Sequence, residues 1–103
     1  MKLIIAVEAI KGTCPAYKVG DRIVLNRGYQ FNLEETTACC MHSLGSILPF
    51  YCALAKGIKP GSIGLAGRNV GDEHKGYVQC SDACEETGGG TAVFSIERVE
   101  DGS

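Results

Sequence analysis

The sequence has no segment rich in lysine or arginine, and this absence argues against a nucleic-acid partner. The 103 residues carry 10 basic and 12 acidic side chains, which gives a formal net charge of −2 at pH 7. A protein that binds nucleic acid normally presents a clustered positive surface to the phosphates. An anionic membrane surface would attract the same kind of patch. We therefore expect neither a nucleic acid nor a membrane as a partner.

Long hydrophobic runs are also missing. No window approaches the roughly 18 consecutive apolar residues of a membrane helix. Glu8 interrupts the apolar stretch that follows Lys2, and no small-residue cleavage site comes after it, so we do not expect a secretory signal. These absences predict a cytoplasmic protein, in which thiols stay reduced.

Close cysteine pairs of the C-x2-C type, which mark zinc fingers, do not occur in the sequence. Six cysteines in 103 residues also fall below the roughly 8–10% that is typical of a disulfide scaffold. In a reducing compartment, cysteines indicate metal binding or catalysis before they indicate a disulfide framework. The thiols are therefore the first place to look for chemistry.

Composition and length together predict one globular domain of the α+β class. Hydrophobic residues make up 45% of the chain and charged residues 21%, which is ordinary for a protein that buries a core. A chain of this length forms a single domain, residues 1–103. Apolar patterning predicts about four strands, at residues 3–10, 22–25, 77–80 and 91–99. We expect them to pack with one interrupted helical segment.

The helical segment is predicted from residue 38 onward, after Thr36 and Thr37, which are typical N-cap residues. Pro49 is expected to interrupt this helix or to open a second one in its first turn. Helical spacing of apolar side chains predicts the buried face, which comprises Met41, Leu44, Leu48, Cys52 and Ala55. In this interpretation Cys52 is a core residue.

The other five cysteines lie where predicted elements begin or end. Cys14 follows the first strand, Cys39 and Cys40 open the helix, and Cys80 ends the third strand with Cys84 shortly after it. Binding groups usually converge at such positions, because the adjoining elements hold the loops in place. At a helix N-terminus the exposed N–H groups and the helix dipole favour a thiolate, and this argument applies to Cys40.

Cys39, Cys84 and His42 are weaker candidates. Neighbouring helix residues project about 100° apart, so Cys39 and Cys40 are not expected to bind the same metal atom. Residues i and i+2 do not share a helix face, so His42 is expected at the cap or in solvent. Each of the three is therefore either a fourth ligand beside the other cysteines or a residue without a function.

Four short motifs resemble a known family. They are K-G-T-C at residues 11–14, K-V-G-D at residues 18–21, S-I-L-P-F-Y-C-A-L at residues 46–54 and C-S-D at residues 80–82. Together they resemble a family of small, functionally uncharacterised cysteine-motif proteins of anaerobic bacteria and archaea. The chain departs from that pattern at Ala16-Tyr17, where the family has Gly-His, and at Met41 and Ser81, where it has proline. A histidine role at position 17 is therefore lost.

The resemblance implies that Cys14, Cys40 and Cys80 form the shared thiol set, and it supplies no activity. Three soft thiolates on turns in a reducing compartment lead us to expect an iron–sulfur cluster of the 4Fe-4S type. The fourth ligand would be Cys84, Cys39 or His42. An open iron position would suit Lewis-acid chemistry on an unknown small molecule, and a closed site would suit electron transfer with a redox partner.

Two alternatives remain open from the sequence. The first is a metal-free thiol-redox protein in which Cys40 attacks and Cys39, Cys14 or Cys80 resolves. The second is a structural zinc site or a small binding module without chemistry of its own.

Overall fold

The computed structural model describes residues 1–101 and contains one antiparallel sheet with a helix packed across one face. The strands are β1 (Lys2–Gly12), β2 (Arg22–Asn26), β3 (Gln30–Phe31), β4 (Gly76–Gln79) and β5 (Gly90–Val99), in the sheet order β3-β2-β1-β5-β4. The helix is α1 (Met41–Ala55), and a short 3₁₀ turn follows at Pro60–Ile63. The predicted α+β class is confirmed, and β3 is a strand that the sequence does not predict.

β1 and β5 form the longest ladder of the sheet and supply much of its core. Leu3, Ile5 and Val7 alternate toward the helix and are at most 3% exposed. On β5, Ile96 lies opposite Ile5 and Phe94 lies opposite Val7. Residues that oppose each other directly share a face of the sheet. The pairing therefore defines the face that α1 covers.

A bulge at Glu8 changes which face of β1 the later residues present. The register shifts between Val7 and Ala9, so Ile10 packs against the same core as the odd-numbered residues before it. The Glu8 carboxylate accepts a hydrogen bond from Ser95 Oγ at 2.6 Å. The bulge thus keeps the end of β1 in contact with the helix side of the sheet.

The helix α1 buries a different face from the predicted one. Its buried residues are Ser43, Ile47 and Leu54, and Leu44, Phe50, Tyr51 and Ala55 pack partly buried against the same core. Met41 and Leu48 are 79% and 57% exposed, and Cys52 is exposed. The predicted stripe is therefore wrong at Met41, Leu48 and Cys52, including the core role of Cys52, whereas Leu44 and Ala55 do contact the core. Apolar residues occur on both faces of this helix, so spacing alone does not identify the face that meets the sheet.

Pro49 lies inside α1 without interrupting it, so the expected break is not present. A proline removes the N–H that would bond to the carbonyl four residues earlier, here that of Gly45. Both residues are exposed, so water can hydrogen-bond the freed carbonyl. No helix among residues 1–101 has both the length and the apolar character to cross a membrane.

The helix also begins later than predicted. Its N-cap is Cys40, and the two threonines proposed as caps bond to β2 instead. Thr36 Oγ1 accepts the N–H of Val24 at 3.0 Å, and Thr37 Oγ1 accepts the N–H of Arg22 at 2.9 Å. The hydroxyls satisfy backbone groups on a strand edge that β3 is too short to cover.

Arg27 and Gly28 form the tight turn between β2 and β3. Three residues, 27–29, separate the paired strands, and the first two have a positive φ of 55° and 84°, the left-handed region that tight hairpin turns use. A Cβ on Gly28 would lie 2.5 Å from the Cβ of Ala55. The turn therefore packs directly against the C-terminal end of α1.

We expect Gly28→Ala to lower the free energy of unfolding by about 1–3 kcal/mol more than Gly20→Ala does, because of overpacking. The two glycines are matched in backbone strain, with φ of +84° and +97°, but a Cβ on Gly20 meets nothing within 4 Å. Urea denaturation of both variants measures the difference. Equal losses of stability would contradict the contact between the turn and α1.

Candidate functional site

Three chain segments meet at one end of the sheet, which we call the thiol end. β1 ends at Gly12, directly opposite Gly90, where β5 begins. β4 ends beside β5 at Gln79, and the N–H of the next residue, Cys80, donates to the carbonyl of Ala92 at 2.8 Å. The loops that follow β1 and β4 therefore leave the sheet on either side of the start of β5.

Cys80 lies on the helix-facing side of this end. It is 8% exposed and belongs to the hydrophobic core. Its partner Ala92 is 1% exposed and belongs to the same core. Cys80 is therefore the most deeply buried of the six cysteines.

Cys14 reaches the same side by crossing over the start of β5. A Cβ on Gly90 would lie 2.6 Å from the backbone nitrogen of Cys14. Gly90 and Ala92 share a face of β5, since alternate residues of a strand do, and Ala92 faces the core. The chain at Cys14 thus passes over β5 toward the helix, and Cys14 packs partly buried against the core.

Cys40 enters the thiol end as the N-cap of α1, and its side chain makes no capping hydrogen bond. Its backbone N–H donates to Tyr17 Oη at 2.7 Å. The Tyr17 hydroxyl pairs with Ser43 Oγ at 2.8 Å, and Ser43 Oγ donates to the carbonyl of Cys40 at 2.7 Å. Both backbone polar groups of Cys40 are therefore bound, and its thiol is left uncommitted.

Tyr17 is a residue of this site that sequence reasoning missed. It is 7% exposed, and its ring meets Phe94 edge-on with a centroid separation of 5.4 Å. Burial raises the pKa of the Tyr17 phenol, and the thiols of Cys39 and Cys40 add to the increase. The feature of the sequence that could have indicated Tyr17 is its position between Cys14 and the K-V-G-D turn.

The loop between β4 and β5 folds around the carboxylate of Asp82. That carboxylate accepts hydrogen bonds from the Thr87 hydroxyl and from the N–H of Cys84, the latter at 2.7 Å. These two bonds, with a smaller electrostatic contribution from His42, hold the pKa of Asp82 below its ordinary value. The segment from Cys80 to Cys84 is thus a turn, and the carboxylate of Asp82, which lies between the two cysteines in sequence, holds it together.

Cys84 packs beneath the end of β1. It has a left-handed φ of 46°, which is uncommon for a residue other than glycine. Its Sγ lies 3.8 Å from the carbonyl oxygen of Gly89. A Cβ on Gly12 would lie 2.6 Å from Cys84 Sγ, so only glycine at that position leaves room for the sulfur.

The remaining candidates divide by location. Cys39 is exposed, and partial burial of its thiol, with the neighbouring Cys40, raises its pKa. His42 is exposed, and its electrostatic contribution lowers the pKa of Asp82. Cys52 is exposed on α1, about 18 Å along the helix axis from Cys40 at 1.5 Å per residue. Cys52 is therefore outside the thiol end.

Cys14, Cys40 and Cys80 all contact the hydrophobic core, but they do not form a metal-binding group. Within residues 1–101, no group of three or more His, Cys, Asp or Glu side chains is arranged so that it could hold a metal ion. All six cysteines are free thiols. Binding of one metal centre by Cys14, Cys40 and Cys80 would require their side chains to turn toward one another.

Comparison of the chain with protein-family models, with curated proteins and with solved structures finds no match. The chemistry of the site therefore has to be argued from its own residues.

We expect Asp82→Asn to lower the melting temperature at pH 7, and the difference from the wild type to close as the pH falls below about 4. The folded-state pKa of Asp82 is lowered, so the ionised carboxylate stabilises the fold above its unfolded-state pKa. That contribution is lost as the pH falls through the folded-state pKa. Thermal melts between pH 3 and pH 7 measure the difference. Glu85→Gln, an exposed residue of the same loop, is the control, and a gap that does not change with pH would contradict the argument.

Proposed function

We propose that the protein binds a metal centre, an iron–sulfur cluster, through Cys14, Cys40 and Cys80 in a reducing, cytoplasmic compartment. The cluster would serve redox or Lewis-acid chemistry on a small molecule or with a redox partner. The observation that carries the proposal is the packing of these three cysteines. They come from three separate parts of the chain, yet all contact one hydrophobic core.

The donor chemistry fits such a group. Thiolates are soft ligands that select iron–sulfur clusters, zinc or copper(I) over hard cations. Ligands of a cluster can come from distant segments, since no local spacing is required of them. The geometry of residues 1–101 does not by itself hold a metal ion, so the proposal includes a rearrangement of side chains on binding.

The backbone around the three cysteines is held by bonds that do not use the thiols. Cys80 continues the β4–β5 ladder through its N–H, and the backbone of Cys40 is bound through Tyr17 and Ser43. Cys14 lies against Gly90. In this proposal the side chains move on a backbone that is already held, and each thiol loses its proton to become a ligand.

Three residues are available beside this set as a fourth ligand. Cys84 lies in the same loop as Cys80, Cys39 is adjacent to Cys40, and His42 lies near Asp82. Cys84 has the strongest structural case, because its backbone is fixed by Asp82 and its thiol is partly buried. Such a cluster, when bound, supplies one-electron transfer or an open iron for Lewis-acid chemistry.

The position of Cys40 favours the thiol-redox alternative as a second candidate. Cys40 is the N-cap of α1, and its thiol makes no capping hydrogen bond, so it is not committed to the helix. In that alternative, the Cys40 thiolate attacks a disulfide of a partner, forms a mixed disulfide and displaces the other sulfur as a thiolate. Cys39, Cys14 or Cys80 then displaces Cys40's partner and leaves a disulfide within this chain.

We expect the protein, after anaerobic reconstitution with ferrous iron and sulfide, to hold about four irons per chain and to absorb visible light. Cys14→Ser, Cys40→Ser and Cys80→Ser should each lose most of the iron and colour, because each removes a thiolate ligand. Cys52→Ser is the matched control, since Cys52 is exposed on α1 outside the thiol end, and it should match the wild type. Iron and sulfide analysis with the visible spectrum gives the result.

Different outcomes identify the alternatives. A wild-type protein that stays colourless and free of iron overturns the cluster proposal. If Cys40 of that protein forms a mixed disulfide with oxidised glutathione faster than Cys52 does, the thiol-redox function replaces it. Stoichiometric zinc, with unfolding on chelation, supports the structural zinc site instead. Equal iron contents in Cys40→Ser and Cys52→Ser would show that the ligand set is wrong.

A further inference from the structure

We propose that Tyr17 and Ser43 are positioning residues for Cys40, acting through a closed ring of hydrogen bonds. The ring runs from the Cys40 N–H to Tyr17 Oη, from Tyr17 Oη to Ser43 Oγ, and from Ser43 Oγ back to the Cys40 carbonyl. Nothing in the sequence motifs assigns a role to either hydroxyl. The ring sets the direction in which Cys40 presents its thiol.

The direction of each hydrogen bond in the ring can be assigned from chemistry. A backbone N–H only donates, so Tyr17 Oη is an acceptor toward Cys40. A carbonyl oxygen only accepts, so Ser43 uses its one hydroxyl proton on Cys40. Tyr17 must therefore donate its own proton to Ser43 Oγ at 2.8 Å. Every proton in the ring is used once. Loss of the Tyr17 hydroxyl leaves the Cys40 N–H without its acceptor, and loss of the Ser43 hydroxyl leaves the Tyr17 proton without its acceptor. The Cys40 carbonyl keeps a second hydrogen bond from the N–H of Ser43 at 3.1 Å.

Burial makes this ring decisive for the conformation of Cys40. Ser43 is 0% exposed and Tyr17 is 7% exposed, so water does not readily replace a lost partner. An unsatisfied polar group in such a place is costly, whereas a satisfied ring is stable in one arrangement. Cys40 is consequently held with extended backbone angles, φ −101° and ψ 131°, immediately before the helix. Those angles fix the direction of its Cα–Cβ bond.

Tyr17 can hold Cys40 because it is itself anchored to the sheet. Its ring packs edge-on against Phe94, a core residue of β5. The turn that follows it is closed by the Asp21 carboxylate, which accepts the N–H of Lys18 at 2.8 Å and the hydroxyl of Thr37 at 2.9 Å. Phe94 of β5 contacts Tyr17, and Tyr17 binds Cys40. These contacts fix the N-terminus of α1 relative to the sheet.

This inference uses the proposed function only to explain why the direction of the Cys40 thiol matters. Its test is independent of that function. In the metal-free, reduced protein, we expect Tyr17→Phe and Ser43→Ala to raise the rate of N-ethylmaleimide alkylation at Cys40 by about 5- to 30-fold, since each opens the ring. Peptide mass spectrometry resolves the rate at each cysteine. The double variant should change the rate little more than either single variant, because both substitutions break one ring.

Matched controls separate positioning from general loss of stability. Tyr51→Phe removes a hydroxyl from another tyrosine packed against the core, and Ser46→Ala does so at a partly buried serine of α1. Both should leave the Cys40 rate within about twofold of the wild type, as changes remote from such a feature do. Cys80 is an internal control, since it is 8% exposed and reacts faster only if the core opens.

The result supports the inference if the Cys40 rate rises while the Cys80 rate does not. Equal increases in the alkylation rates of Cys40 and Cys80 would show that Tyr17 contributes only to overall stability, and would overturn the inference. A Cys40 rate that stays at the control value would also overturn it. Cobalt(II) titration adds a spectroscopic measurement, in which the thiolate charge-transfer band should require higher cobalt for Tyr17→Phe than for Tyr51→Phe. If wild-type protein binds neither iron nor cobalt, the metal proposal fails while the alkylation rates still decide the role of Tyr17.

Discussion

The antiparallel pairing of β1 with β5 is the constraint on which the rest of this structure depends. The ladder extends from Lys2 opposite Val99 to Gly12 opposite Gly90, and β2 and β4 attach to its two sides. A shift of one residue in this register would turn the core side chains of a strand to the other face. The bulge at Glu8 makes such a change once, within β1, and so sets the face that the last residues of the strand present. The position of everything beyond Gly12 follows from it.

The ladder ends on two glycines, and their missing side chains create the close packing of the thiol end. The space at Gly90 is taken by the backbone at Cys14, and the space at Gly12 is taken by the sulfur of Cys84. Backbone groups, and not sulfur atoms, hold the cysteines of this end in place: Cys80 through the ladder and Cys84 through Asp82. Their sulfur atoms are packed, that of Cys80 in the core and that of Cys84 against Gly12.

The sequence predicts the strands of the sheet well, because alternation with a period of two distinguishes buried from exposed positions directly. It predicts the helix but not its buried face, since Met41 and Leu48 are as apolar as Ile47 and Leu54 and only the sheet selects between them. The sequence predicts Thr36 and Thr37 as helix caps, but they bind β2, because a hydroxyl can accept a backbone N–H at a strand edge as well as at a helix N-terminus. Cysteine positions at element ends could be read from the sequence, whereas the placement of Cys14 and Cys80 at the same end of the sheet depends on the β1–β5 register, a long-range property that no local pattern encodes.

Ser43 shows how a break in an apolar pattern marks a constrained position. Its side chain is fully buried in the first turn of α1, where an alanine would satisfy hydrophobic packing without any polar requirement. A hydroxyl is stable there only because Tyr17 and the Cys40 carbonyl complete its hydrogen bonds. The ring of Tyr17 is buried against Phe94, and its hydroxyl is bound there by the Cys40 N–H and by Ser43. Tyr17 and Ser43 satisfy each other's hydrogen bonds, and both bind the backbone of Cys40. This agreement between burial and hydrogen bonding indicates that the sequence fixes the conformation of Cys40.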